Sequence, residues 1–205
     1  MTAASKVTLT RIFLIPVYMV LMYVSGGVAG PWMWGALGVF ILASVTDFVD
    51  GYIARHCNQV TDFGKFVDPL ADKLLVSSAL ILFVEQKAMA GWMVCVILAR
   101  ELIITSLRVV AANKGVVMAA TWTGKVKTCV QIGGIIVIYL HYIIFGALAS
   151  QPNTSFSAVF AIRTDGADLI LTIVGWVVTL VTIYSGYDYL RKNWDLIKDG
   201  AVKAK

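Results

Sequence analysis

Six long apolar segments constrain the fold of this chain more than any other feature. They lie at about residues 8–25, 32–55, 66–84, 91–112, 123–146 and 167–190. An α-helix rises about 1.5 Å per residue, so about 20 apolar residues cross the hydrocarbon core of a bilayer. We therefore predict an all-α membrane protein with six transmembrane helices. A single integral-membrane domain covers residues 1–205, and residues 191–205 form a cytoplasmic tail.

The composition supports a membrane protein and excludes several other classes. Hydrophobic residues make up 59% of the chain and charged residues only 14%, whereas a soluble protein of this size would expose more Lys and Glu. No module that interleaves aromatic and basic residues is present, so we predict no nucleic-acid partner. The three cysteines lie far apart, and their spacing indicates neither a zinc site nor a disulfide framework.

The distribution of basic residues predicts the orientation in the membrane. If both termini are cytoplasmic, 15 of the 17 Lys and Arg residues lie on the cytoplasmic side, and only Lys87 and Arg163 lie outside. This asymmetry follows the positive-inside rule. A secretory signal is a competing interpretation of the first apolar segment, because Lys6 and Arg11 precede "IFLIPVYMVLMYVSGGVAG". Its apolar run is longer than a usual signal core, and its removal would leave five spans.

Acidic residues are concentrated between the second and third apolar segments. Asp47 and Asp50 share one face of a helix, and Asp68 and Asp72, four residues apart, share a face of the next helix. Hard divalent cations prefer oxygen ligands, and Mg²⁺ is usually held by a few carboxylates together with substrate phosphates. Four such acids can hold two ions, whose charge would balance their own. Asp62 lies near a helix start, where capping is the simpler role.

Two further expectations concern this acidic region. The Asp68-Pro69 step predicts a distorted or freshly started helix, because proline disfavours αR for the residue before it. Intramembrane acids also occur in cation transporters, which is a competing interpretation. Such a transporter needs an acidic path to the outer face, where acids occur only near the span ends, at Glu85, Asp165 and Asp168.

One long pattern joins the two acid pairs. It reads Asp47-x2-Asp50-Gly51-x2-Ala54-Arg55-x8-Gly64-x3-Asp68-x3-Asp72. Without a mismatch, it resembles the signature of the CDP-alcohol phosphatidyltransferase family, whose fold has six membrane helices. One departure lies in the first helix, where Ser5 stands at the position that often carries Asn in the family.

The resemblance implies roles for the matched positions. Two divalent cations, Mg²⁺ or Mn²⁺, would be bound by Asp47, Asp50, Asp68 and Asp72. The pocket for the CDP and diphosphate of CDP-diacylglycerol would be shaped by Gly51, Ala54, Arg55 and Gly64. Asp72 would also be the general base that takes a proton from the attacking hydroxyl of the acceptor. For Arg55, capping of the helix dipole is the alternative role.

Three further segments point to the acceptor. "TDFGKFVDPLADK", "ARELIITSLR" and "GKVKT" resemble family members that transfer a phosphatidyl group to sn-glycerol 3-phosphate, giving phosphatidylglycerophosphate and CMP. The acceptor phosphate would be bound by Arg108, Lys125 and Lys127. Positive-inside anchoring is the alternative for each of them. Arg100 and Glu101 lie deeper in the fourth span, where an internal ion pair is expected.

The identity of the acceptor substrate remains open, and the resemblance also bears on the oligomeric state and the location. Inositol phosphate, serine or phosphatidylglycerol remains open as acceptor, although a phosphate-free acceptor would have little use for Arg108, Lys125 and Lys127 together. The resemblance also implies a homodimer, surrounded by membrane lipids in the bacterial cytoplasmic membrane. Its active site would face the cytoplasm.

Overall fold

The structure is a computed structural model that describes the backbone of residues 3–26, 30–57, 62–113, 118, 121–149 and 168–194. Side chains are described for the same residues except 3–9, 11, 47–57, 62–72, 113, 146–149 and 168. Within these ranges every regular element is an α-helix, short turns connect some of the helices, and no β-strand occurs. This confirms the all-α prediction for the part of the chain that is described.

Six helices make up the described architecture. They are α1 (Ala3–Ser25), α2 (Pro31–Cys57), α3 (Asp62–Glu85), α4 (Gly91–Asn113), α5 (Trp122–Ala149) and α6 (Asp168–Lys192). Each coincides with one of the six predicted apolar segments to within a few residues at either end. Several helices are longer than their apolar segments, because a helix continues through polar turns that a hydropathy pattern does not register.

The boundary between α2 and α3 differs from the sequence expectation. The predicted loop began at Arg55 and included Gly64, but α2 continues to Cys57 and α3 already begins at Asp62. Asp62 is therefore the first residue of a helix, where a carboxylate is favourable. α3 then continues through Pro69, so the freshly started helix expected at Asp68 is wrong.

A buried aromatic cluster joins four of the helices. The Phe40 ring lies 5.9 Å from the ring of Tyr18 and 6.2 Å from that of Tyr139, which also contacts Phe83 edge-on at 5.3 Å. The Tyr139 hydroxyl donates a hydrogen bond of 2.6 Å to the Tyr18 hydroxyl. Buried phenols need such partners. The cluster thus connects α1, α2, α3 and α5 around one core.

Small residues allow close contact between α6 and its neighbours. A Cβ placed on Gly134 of α5 would lie 2.7 Å from Val178 Cγ2 of α6. A Cβ on Gly186 of α6 would lie 3.1 Å from Arg100 Cγ of α4. Helices inside membranes associate through such small residues, since lipid tails provide no hydrophobic drive between them.

The outer surface of the bundle is apolar. Every helix exposes large apolar side chains, for example Phe13, Leu42, Ile81, Leu102, Ile144 and Leu180. A surface this apolar is typical of contact with lipid. Two helical stretches in the described residues are long and apolar enough to cross a membrane, Trp122–Phe145 and Leu169–Lys192. The apolar stretches Ile12–Ser25 and Pro31–Thr46 are shorter.

Candidate functional site

The first acid pair lies in register with the buried stripe of α2. The side chains of Met33, Ala36, Phe40 and Ala43 are all fully buried, at alternating spacings of three and four residues. α2 continues to Cys57, so the same spacing leads to positions 47, 50 and 54. The predicted ligand positions 47 and 50, and position 54 of the predicted CDP pocket, therefore continue the register of the buried stripe of α2.

α3 repeats this arrangement from its other end. Leu75, Ala79 and Leu82 are buried at spacings of four and three. Counted back toward the start of α3, this stripe reaches position 72, then 68, then 64. A different face of α3 carries Leu74 and Ile81, which are exposed. Both acid pairs are therefore in register with a buried stripe, one on α2 and the other on α3.

Glu101 lies at the centre of a charged cluster beside this region. Its Oε1 accepts hydrogen bonds from Lys127 Nζ at 2.5 Å and from Arg100 Nη1 at 3.0 Å. Its Oε2 accepts one from Lys73 Nζ at 3.3 Å. Arg100 Nη2 donates to Ser185 Oγ at 2.7 Å. The predicted internal ion pair of Arg100 with Glu101 is confirmed, but it belongs to a cluster that links four helices.

The cluster forms one wall of a cleft between α3, α4 and α5. Polar lining is supplied by Lys73, Ser77, Glu101, Lys127, Thr128 and Gln131, and apolar lining by Val76, Leu98 and Ile132. Gln131 is buried, and among the described atoms its Nε2 has no hydrogen-bond partner. Buried donors are rarely left unpaired, so this amide is a candidate contact for a polar group that enters the cleft.

The three residues predicted to bind the acceptor phosphate lie in different settings. Lys127 is buried and paired with Glu101, as described above. Lys125, two residues earlier in α5, is exposed. Arg108 is exposed near the end of α4, where its Nε donates to the Tyr189 hydroxyl at 3.2 Å. The Arg108 Cζ lies 5.4 Å from the centre of the Tyr189 ring, which adds a cation–π contact.

A second polar contact holds the adjacent ends of α5 and α6. Thr123 Oγ1 donates to Asp188 Oδ2 at 2.7 Å, and Lys192 Nζ contacts the same oxygen at 2.9 Å. Asp188 immediately precedes Tyr189, the partner of Arg108. The start of α5 and the ends of α4 and α6 are therefore fixed close together, at the end of the bundle where basic residues are predicted to gather.

The predicted cation ligands and CDP-pocket residues are described only through their helices. Asp47, Asp50, Gly51, Ala54 and Arg55 belong to α2. Gly64, Asp68 and Asp72 belong to α3, and their side chains lie outside the described set. Among the side chains that are described, no three His, Cys, Asp or Glu residues come together as a metal site.

Comparison with known proteins identifies the family. The family model for CDP-alcohol phosphatidyltransferases matches residues 1–184. The chain belongs to this family. The match includes all eight positions of the acidic signature and the residues of the charged cluster in α3, α4 and α5. The polar residues near the end of α6, from Ser185 onward, lie beyond it. CDP-alcohol phosphatidyltransferases are enzymes, and membership therefore favours phosphatidyl transfer over the cation-transporter interpretation.

Individual relatives within the CDP-alcohol phosphatidyltransferases share one kind of name. A Bacillus subtilis protein named CDP-diacylglycerol–glycerol-3-phosphate 3-phosphatidyltransferase is 43% identical, over 95% of this chain and 96% of the relative. A Rickettsia bellii protein of the same name is 35% identical, over 90% and 91%. A probable phosphatidylglycerophosphate synthase of Mycobacterium tuberculosis is 40% identical, over 62% and 61%.

Sequence reasoning gave no role in the site to Lys73, Gln131 or Tyr189. One signal for the charged cluster was available: Glu101 is the only acid in α4, and α5 contains none. Lys127 therefore had to find an acidic partner on another helix. No comparable signal marked Gln131 or Tyr189, because their importance depends on which helices are adjacent.

Proposed function

We propose that this protein transfers the phosphatidyl group of CDP-diacylglycerol to sn-glycerol 3-phosphate, releasing phosphatidylglycerophosphate and CMP. The proposal rests on 43% identity to a relative named for this reaction, over nearly the full length of both chains. An alignment over 95% of this chain covers the "ARELIITSLR" and "GKVKT" segments, where acceptor binding is proposed. Three members of the charged cluster, Arg100, Glu101 and Lys127, lie in these two segments.

The donor chemistry of the two acid pairs fits divalent cations. Asp47, Asp50, Asp68 and Asp72 offer four carboxylates at positions in register with the buried stripes of α2 and α3, and carboxylate oxygen is the ligand that Mg²⁺ and Mn²⁺ prefer. We propose that these residues hold two such ions. When bound, they would neutralise charge on the diphosphate and on the oxygens that attack and leave.

The chain's own groups then carry out the proton transfer. Asp72 takes the proton of the C1 hydroxyl of glycerol 3-phosphate as that oxygen forms a bond to the phosphatidyl phosphorus. The bond between this phosphorus and the CMP oxygen breaks, and CMP leaves with the electron pair. Such positioned bases contribute about 10²–10⁴-fold in rate. Gly51, Ala54, Arg55 and Gly64 shape the pocket for the CDP and diphosphate.

Cations near the ends of α4 and α5 account for an acceptor that carries a phosphate. Arg108, Lys125 and Lys127 are proposed to bind it. The Arg108 Nε is engaged by Tyr189, which leaves its two terminal nitrogens for a bidentate contact with phosphate oxygens. The exposed Lys125 supplies a mobile point charge, whereas Lys127 is held in place by Glu101.

The membrane arrangement is part of the same proposal. A single catalytic domain over residues 1–205 crosses the bacterial cytoplasmic membrane six times, with both termini and the active site on the cytoplasmic side. The apolar exterior of all six helices and the asymmetry of basic residues support this arrangement. The homodimer is proposed on the family resemblance alone.

An acceptor panel tests the reaction. Purified protein receives CDP-diacylglycerol and Mg²⁺ with glycerol 3-phosphate, inositol phosphate, serine or phosphatidylglycerol, and CMP release is followed. We expect CMP and phosphatidylglycerophosphate with glycerol 3-phosphate only, and no CMP after chelation of the metal. CMP release with another acceptor, but not with glycerol 3-phosphate, would overturn the proposal.

A further inference from the structure

The carboxylate of Glu101 divides its two oxygens between two helices. Oε2 faces Lys73 of α3 at 3.3 Å, while Oε1 faces Lys127 of α5 at 2.5 Å. The side chain of Glu101 is 19% exposed and that of Lys127 only 6%. One acid therefore bridges two lysines that come from opposite walls of the cleft.

Stability alone is a poor explanation for this cluster. Three cations surround a single carboxylate, so the charges of Glu101, Lys73, Arg100 and Lys127 sum to +2. Buried ion pairs contribute little net stability, because desolvation offsets their attraction. Ionisable groups within a membrane bundle are costly, and they usually mark functional positions.

Lys73 connects the Lys73–Glu101–Lys127 bridge to the proposed catalytic residues. Lys73 directly follows Asp72, whose position continues the inward-facing stripe of α3. Lys127 lies in α5, one turn before Gln131, at the side of the cleft proposed for the acceptor. The relative placement of α3 and α5 therefore determines how the proposed base meets the acceptor hydroxyl.

We propose that Glu101 is a positioning residue that holds α3 and α5 together. One of its carboxylate oxygens contacts Lys73 of α3, and the other contacts Lys127 of α5. Glu101 thereby sets the distance between the acid pair of α3 and the acceptor side of the cleft. This inference rests on the proposed phosphatidyl transfer, since it assigns a use to that alignment. A misplacement of about 1 Å can reduce the rate of such a reaction about 100-fold.

Kinetics of Glu101→Gln provide the first test. The amide keeps the shape of the side chain but has only one acceptor oxygen, so it can serve only one of the two lysines. We expect kcat to fall about 100-fold while KM for CDP-diacylglycerol stays unchanged. Glu101→Asp keeps the charge but is one methylene shorter, so an intermediate kcat is expected. Ser78→Ala is the matched control, because Ser78 is a buried polar residue of α3 that bonds only within its own helix.

A distance measurement provides a second test that does not depend on activity. Spin labels are attached at Leu74→Cys and Val126→Cys, two exposed positions beside the bridged lysines, in protein without its native cysteines. We expect a narrow α3–α5 distance distribution that broadens or shifts when Glu101→Gln is added. Ser78→Ala should leave the distribution unchanged.

The outcomes separate this inference from the proposed reaction. An unchanged distance distribution in Glu101→Gln, or an unchanged kcat per folded protein, would overturn the positioning role. If Glu101→Gln does not fold, the same two measurements are made on Glu101→Asp. A wild-type kcat and a wild-type distance distribution in that variant would also overturn the positioning role. Absence of CMP release by the unmodified protein with glycerol 3-phosphate would refute the reaction, while the distance measurement would still test the bridge.

Discussion

Asp72 and Lys73 are consecutive in the sequence, and their positions lie on different sides of α3. Successive helical residues are rotated by about 100°, so neighbours do not share a face. Position 72 continues the stripe of Leu75 and Ala79, while Lys73 contacts Glu101 of α4. A proposed base and a structural cation can therefore be adjacent in sequence without competing for the same partner.

At this scale the decisive substitution is Asp72→Asn. The amide has nearly the same size but does not accept a proton at neutral pH, so CMP release should fall about 10²–10⁴-fold. Binding of CDP-diacylglycerol, measured by equilibrium binding with purified protein, should remain within a few-fold of the wild type. Asp62→Asn is the matched control, because Asp62 is the first residue of α3 and has no proposed role in the chemistry. Turnover of Asp72→Asn close to that of the wild type would remove Asp72 as the base.

A second residue-level prediction concerns acceptor recognition. Lys125 is exposed on α5, so Lys125→Ala removes a charge without leaving a cavity. KM for glycerol 3-phosphate should rise several-fold, whereas KM for CDP-diacylglycerol should not change, because only the acceptor phosphate loses a contact. Steady-state CMP release with each substrate varied in turn measures both constants. An equal rise of the two constants would contradict an acceptor role.

At the scale of the helices, the sequence predicts the elements well and their contacts poorly. All six helices were predicted from apolar segments, because membrane length and hydropathy depend on local composition. The apolar segment predicted a start of α3 at residue 66, but the helix begins four residues earlier, at Asp62, because its first turn is polar. The shared faces of the aspartates follow from spacing. The contacts of Glu101 with Lys73 and Lys127 cannot be predicted from spacing, because they depend on which helices are neighbours.

Close contact between α5 and α6 leads to a prediction about two adjacent glycines. A Cβ at position 134 would lie 2.7 Å from Val178 Cγ2, whereas a Cβ at position 133 meets nothing within 4 Å. Gly134→Ala should therefore destabilise the bundle by about 1–3 kcal/mol, because a β-branched neighbour in a helix has little rotamer freedom. Thermal unfolding in detergent measures the effect. Gly133→Ala is the control and should not destabilise, and Val178→Ala should partly rescue Gly134→Ala. Equal effects of the two glycine substitutions would contradict this packing.

At the scale of the whole molecule, the described side chains make the outer surface apolar and keep charge inside the bundle or at the helix ends. Large apolar side chains face outward on every helix, while the described ion pairs lie within the bundle or near the ends of α5 and α6. Such a molecule is stable where lipid covers its sides and water reaches its ends. The cleft between α3, α4 and α5 combines apolar and cationic lining, which suits a reaction between a lipid and a soluble phosphate.

The six-span topology makes a prediction about sidedness. Position 90 connects α3 to α4, position 191 lies at the end of α6, and three helices separate them, so the two must lie on opposite sides of the membrane. In protein without its native cysteines, Ala90→Cys should react with a membrane-impermeant maleimide added to intact cells. Arg191→Cys should react only after permeabilisation, because basic helix ends remain in the cytoplasm. Both positions are exposed, so accessibility within the bundle does not limit either reaction. Labelling of both from the same side would contradict three intervening spans, and the reverse pattern would contradict cytoplasmic termini.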